Sequence, residues 1–116
     1  MINNDANLTL ATRAMISQQK TLALSPVTFY EIAQKVRLGK WPLMAPHLEN
    51  LSRLVATAGL TIVPVDPEIA HLAGTLDWPH RDPFDRMLAA TALVNGWVLI
   101  SADTVFDSLI GLRRVW

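Results

Sequence analysis

Four carboxylates carry the chemical interest of this chain: Glu31, Asp82, Asp85 and Asp103. Glu31 follows the apolar run TLALS, Asp82 and Asp85 lead into MLAATALV, and Asp103 stands two residues past the end of WVLIS. Converging Asp and Glu without thiolates or imidazoles make a hard oxygen site, suited to Mg²⁺ or Mn²⁺ and poorly matched to zinc. A divalent ion held in this way can activate a water and neutralise charge on the leaving oxygen of a phosphodiester. With 10 basic and 10 acidic residues the chain has no net charge to attract a polyanion, so such an ion would also give it a hold on RNA. Cysteine is absent, which excludes disulfide scaffolds, thiolate metal sites and cysteine nucleophiles, and fits a reducing compartment.

Each acid also has an ordinary structural explanation. Asp82 and Asp85, three apart around Pro83, approximate a capping box, and Asp103 could cap a short helix. Glu31 has Lys35 four residues on, the favourable ion-pair spacing on a helix. It is nevertheless framed by Phe29, Tyr30, Ile32 and Ala33, and a carboxylate in apolar surroundings is costly unless paired or metal-bound. Arg86 beside Asp82 and Asp85 is either a phosphate contact or an ion-pair partner for the carboxylates. Lys35, Arg37 and Lys40 read as a solvated face, and His47, His71 and His80 are not needed by an acid-only site. The four tryptophans are too scattered to form a base-stacking platform.

The elements that must position these acids alternate in period. An amphipathic helix is expected over Leu8 to Lys20, then a buried strand over Thr21 to Ser25. Ser25-Pro26, Asp66-Pro67 and Asp82-Pro83 are cap-then-proline signals opening helices, with Gly39 and Gly96 as left-handed ends of the first and last. A further helix is expected from Ala45 to Ala58, strands over Thr61 to Val65, Trp97 to Ser101 and Leu112 to Trp116, and a short helix over Thr104 to Ile110. Strands alternating with helices describe parallel βα units in three-layer α/β order, whose ligand site lies at the carboxyl ends of the strands. At 116 residues this is one domain, and 51% hydrophobic residues leave apolar surface for a partner. No apolar run reaches the ~20 residues of a membrane helix, so a soluble, cytoplasmic protein is expected. Neither GxGxxG nor GxxxxGK[ST] occurs to mark a nucleotide fold.

HRDPFDRMLAATALVNGWVLISAD, from His80 to Asp103, resembles the C-terminal half of a PIN domain, and among PIN domains the toxin ribonucleases of VapC type. SPVTFYEIAQKVRLGKW, from Ser25 to Trp41, resembles the Ser-to-Glu helix of the same family. The resemblance implies one three-layer α/β/α domain over residues 1–116 with a parallel central sheet. It implies a Mg²⁺- or Mn²⁺-dependent endoribonuclease in which Glu31, Asp85 and Asp103 match the catalytic metal-binding acids and Asp82 is an accessory ligand. Ser101 matches the small hydroxyl residue that supports Asp103, with Arg86 a further supporting residue. The implied partners are an RNA substrate, a cognate antitoxin and a second copy of the chain, with no membrane. The pattern departs at the N-terminus, where the family's first strand, Leu-Leu-Asp-Thr-His, supplies the first acid. MINNDANLTLATRAM matches the loop and helix after that strand, so Asp5 corresponds to a surface acid. Either the sequence starts downstream of the strand or it is a degenerate copy, and the alternative to a nuclease is an inactive PIN-like module that retains antitoxin binding.

Overall fold

Three helices begin where the sequence sets a cap before a proline. In the computed structural model, which describes residues 22–116, Ser25 precedes α1 (Pro26–Arg37), Asp66 precedes α3 (Pro67–Thr75) and Asp82 precedes α4 (Pro83–Asn95). Each cap accepts from the first turn: Ser25 Oγ from the Val27 N–H at 3.2 Å, Asp66 Oδ1 from that of Ile69 at 2.9 Å and Asp82 Oδ1 from that of Phe84 at 2.8 Å. The proline costs nothing here, since its missing N–H would have no partner inside the helix. Gly96 ends α4 at φ 67°, a left-handed conformation that a Cβ would disfavour. The helix expected over Leu8 to Lys20, Thr21, Asp5 and any strand before them lie outside the described residues.

Four short strands accompany the capped helices: β1 (Leu22–Leu24) before α1, β2 (Leu60–Ile62) before α3, and β3 (Leu99–Ile100) and β4 (Arg114–Val115) after α4. They form two parallel pairs. Leu22, Ala23 and Leu24 lie opposite Leu60, Thr61 and Ile62, and Leu99 and Ile100 lie opposite Arg114 and Val115. The α/β class with parallel strands is thus the one expected. The strands are shorter than the apolar runs suggest: β2 stops two residues before Pro64, which has no N–H to give a ladder.

The segment expected as one helix over Ala45 to Ala58 is two elements, a 3₁₀ stretch from Pro42 to Asn50 followed by α2 (Leu51–Thr57). Pro46 inside the stretch removes an i→i−4 hydrogen bond and crowds the preceding turn, so the tighter helix is what survives. Leu48, Leu51, Leu54 and Val55 recur at helical spacing, yet of these Leu51 and Val55 are buried and Leu54 is exposed. The last short helix is likewise 3₁₀, from Thr104 to Ser108.

The most enclosed element is α4. Ala89, Ala90, Thr91 and Ala92 have no exposed surface, and their small side chains admit neighbours on two sides. On one, Trp78, Leu88, Leu99, Phe106 and Leu109 pack with Ala89 and Ala92; on the other, Ile69 and Ala73 of α3 pack with Ala90. Burying side chains such as Phe106, Leu99 and Ile69 stabilises the domain by roughly 1.5–3 kcal/mol each. The acids at the start of α4 therefore stand on the most firmly held part of the fold.

Candidate metal centre

One ring contact joins the two helices that carry the acids. Tyr30 of α1 stacks on Phe84 of α4 with centroids 4.8 Å apart and planes 29° apart. Each aromatic residue immediately precedes an acid, Glu31 and Asp85, so the stack brings those carboxylates into one another's field. Burial raises the pKa of Glu31 above the ordinary carboxylate range, the charge of Asp85 raises it further, Lys35 pulls it down through space, and Asp82 adds to the rise. Burial likewise raises Asp85; a hydrogen bond from His80 opposes this, while Asp82 and Asp103 push upward.

The tightest grouping is His80, Asp82 and Asp85, each with one ligand-type atom within 4.8 Å of the others. Glu31 and Asp103 lie outside it and act on it through charge. Asp82 is also the N-cap of α4, its Oδ1 accepting from the N–H groups of Phe84 and Asp85 at 2.8 and 3.3 Å. Asp103 Oδ1 caps the last 3₁₀ segment by accepting from the Val105 N–H at 2.9 Å. Asp85 does not close a capping box. Its Oδ2 meets His80 Nε2 at 2.7 Å, a contact that a search for acids alone passes over. The Asp82-Pro83 turn lays the residues before the helix back over its first turn, and that is the signal that could have placed His80 beside Asp85.

Asp103 is held from behind. Ser101 is fully buried and its Oγ accepts from the Asp103 N–H at 3.1 Å. Arg114 donates to the Ser101 carbonyl at 2.9 Å and grips Asp107 with two parallel bonds of 2.8 and 2.9 Å, which hold the Asp107 carboxyl below its usual range. Among the described residues Arg86 forms no ion pair with Asp82 or Asp85. Among the described residues its guanidinium donates only to carbonyls: Ala73 and Leu76 through Nε and Nη2 at 2.7 Å each, and Trp78 and His80 through Nη1 at 2.7 and 2.9 Å. It closes the C-terminal end of α3 and fixes the loop that carries His80.

The donor set fits a hard divalent cation. Glu31 and Asp85 are raised by burial and by neighbouring acids, Arg86 is committed elsewhere, and a bound cation would relieve the repulsion. The same shifts fix a sign. A carboxyl whose pKa is raised by folding binds protons more readily folded than unfolded, so the metal-free protein loses stability as pH rises from the ordinary carboxylate range through the raised one. Above that window the penalty is fully present. Glu31→Gln removes its share, so its melting temperature in chelator at neutral pH is expected to exceed that of the wild type by about 2–4 °C. Below the ordinary carboxylate range the two should melt together. Thermal melts across pH check this, and a lower neutral-pH melting temperature for Glu31→Gln would contradict it.

No helix among the described residues is long and apolar enough to cross a membrane. A family model described as PIN domain matches residues 1–112. The chain is 32% identical to "Ribonuclease VapC22" of Mycobacterium tuberculosis, over 83% of this chain and 73% of that protein. A family match over nearly the whole sequence, joined to α/β architecture with acids gathered at the start of α4, shows that the chain belongs to the PIN-domain family.

Proposed function

We propose that this protein is a Mg²⁺- or Mn²⁺-dependent endoribonuclease of the PIN-domain, VapC-like type. The family supports a PIN-type nuclease, and similarity to a VapC ribonuclease supports RNA as the substrate. The observation that carries the metal dependence is the mutual charge of Glu31, Asp82, Asp85 and Asp103 around Asp85, with no arginine or lysine in an ion pair with any of them among the described residues.

In this reading Glu31, Asp85 and Asp103 hold the ion, with Asp82 as an accessory ligand through the oxygen its cap does not use. When bound, the ion supplies activation of water and neutralisation of the leaving oxygen. Ser101 and Arg114 fix the backbone on which Asp103 stands, and Arg86 fixes the loop above Asp85. Burial of Glu31 and Asp85 keeps bulk water from screening their charge, which strengthens their hold on a cation.

Leu43 at 81% exposure, Tyr30 at 53%, Leu38 at 52% and Leu54 at 43% are exposed apolar side chains on α1 and its C-cap, the 3₁₀ stretch and α2. The same elements line a groove with residues that include Ile32, Trp41, Met44 and Val55. That surface supports a protein partner, in this reading a cognate antitoxin or a second copy of the chain, in the cytoplasm.

Incubation of the full chain with a mixed RNA pool tests the activity. Cleavage in Mn²⁺, lost in chelator and restored by added Mn²⁺, is expected. No cleavage under any metal condition by a chain that binds Mn²⁺ and melts cooperatively would overturn the nuclease reading in favour of an inactive binding module.

A further inference from the structure

We propose that His80 is the positioning residue of the acidic centre, holding one oxygen of Asp85 so that the other is presented to a divalent cation. The proposal rests on the metal-centre reading above and adds to it a residue that an acid-only site does not require.

The contact is short and its direction is fixed by chemistry. His80 Nε2 lies 2.7 Å from Asp85 Oδ2, and an ionised carboxylate can only accept, so Nε2 carries the hydrogen. That hydrogen also bears on the alternative in which His80 is itself a ligand, since one of its ring nitrogens lies within 4.8 Å of ligand-type atoms on Asp82 and Asp85. A nitrogen that donates to Asp85 has no lone pair left for a cation. Through Nε2 the imidazole orients a ligand, as the outer partners of metal sites do.

His80 is itself held at its backbone and at its ring. Arg86 Nη1 donates to the His80 carbonyl at 2.9 Å, with the same guanidinium anchored on Ala73, Leu76 and Trp78. The His80 ring lies 4.9 Å from that of Trp78, and Trp78 is buried and tied through its indole N–H to Ser108 Oγ at 2.8 Å. The Asp85 side chain, 19% exposed, could otherwise turn about its last bond and exchange its two oxygens. Tethering Oδ2 removes that freedom before a cation arrives, so less ordering is left to oppose binding.

The test is Mn²⁺ titration of the full chain by calorimetry, with thermal melts in chelator alongside. His80→Ala is expected to weaken Mn²⁺ binding by about 10–100-fold. His80→Gln, whose amide N–H can reach the same oxygen, should recover most of the loss. His80→Asn is polar but too short to donate there, so it should behave like His80→Ala and serves in its place if that variant does not fold. A merely structural role would lower the melting temperature of all three without separating Gln from Ala and Asn in affinity. Wild-type or tighter Mn²⁺ binding by His80→Ala or His80→Asn, with Asp85→Asn defective in the same assay, would overturn the positioning role and leave the metal centre standing. Wild-type binding by Asp85→Asn would instead overturn the metal centre and this proposal with it.

Discussion

Asp85→Asn is expected to weaken Mn²⁺ binding by more than the ~10–100-fold that loss of an outer partner costs, while Glu49→Gln leaves it unchanged. Both variants convert a carboxylate to an amide of the same shape, and Glu49 sits exposed in the 3₁₀ stretch with no place in the acidic grouping. An amide still accepts a hydrogen bond from His80, so the 2.7 Å contact and the start of α4 need not be disturbed. What it lacks is the charge on which affinity for a hard divalent ion rests. Burial makes the difference larger at Asp85, because a half-buried charge is less screened than one on the surface. RNA cleavage should fall with Mn²⁺ affinity, and melting in chelator should not fall, because Asp85→Asn removes a charge that burial and its neighbours disfavour. Equal Mn²⁺ affinities for Asp85→Asn and Glu49→Gln would remove Asp85 from the site.

The parts of this site legible in the sequence are those set by local backbone chemistry. Ser25-Pro26, Asp66-Pro67 and Asp82-Pro83 open helices because cap and proline act within one turn. Gly96 ends α4 for an equally local reason. Their order also places Asp85 on an alanine-rich helix with a buried core face. What was not legible depends on contacts between segments. The fork of Arg86 reaches back across the 76–81 loop to α3, and nothing in its spacing from Asp82 and Asp85 distinguishes that reach from an ion pair. His80 looked dispensable because the acids alone satisfy a hard cation; its role depends on a turn folding it onto Asp85. Leu54 is spaced with Leu51 and Val55 yet lies exposed on α2, and the 3₁₀ stretch around Pro46 takes Leu48 out of their helix. Periodicity assumes one unbroken helical phase, and a 3₁₀ turn of three residues shifts it.

Arg86→Ala should be the most destabilising single change at this end of the molecule, lowering stability by about 3–4 kcal/mol. Four carbonyls, those of Ala73, Leu76, Trp78 and His80, would lose a charged donor at once. Two belong to the C-terminal end of α3, where carbonyls have no partner inside the helix and the helix dipole already favours a cation. Hydrogen bonds to a charged group contribute roughly 1.5–3 kcal/mol each when buried. The total must be smaller than four such terms, because Arg86 is half-buried and water can reach part of the loop once the side chain is gone. Against a typical domain stability of about 5–15 kcal/mol, even the reduced figure is a large fraction. Arg86→Lys separates the two explanations that the sequence leaves open. An ammonium keeps the charge that a phosphate contact needs, but it cannot place three nitrogens in the plane that reaches four carbonyls. Urea denaturation should therefore show Arg86→Lys losing at least half of what Arg86→Ala loses, with the slope unchanged and the midpoint shifted. If Arg86→Lys instead kept wild-type stability and RNA affinity while Arg86→Ala lost affinity only for RNA, the arginine would be reading phosphate and the carbonyl clamp would be incidental. The clamp also links stability to the metal centre. Since it carries His80, Arg86→Ala should weaken Mn²⁺ binding under conditions where the variant is still fully folded, whereas Asp107→Ala, which releases Arg114 on the other side of the acids, should leave the His80–Asp85 contact in place.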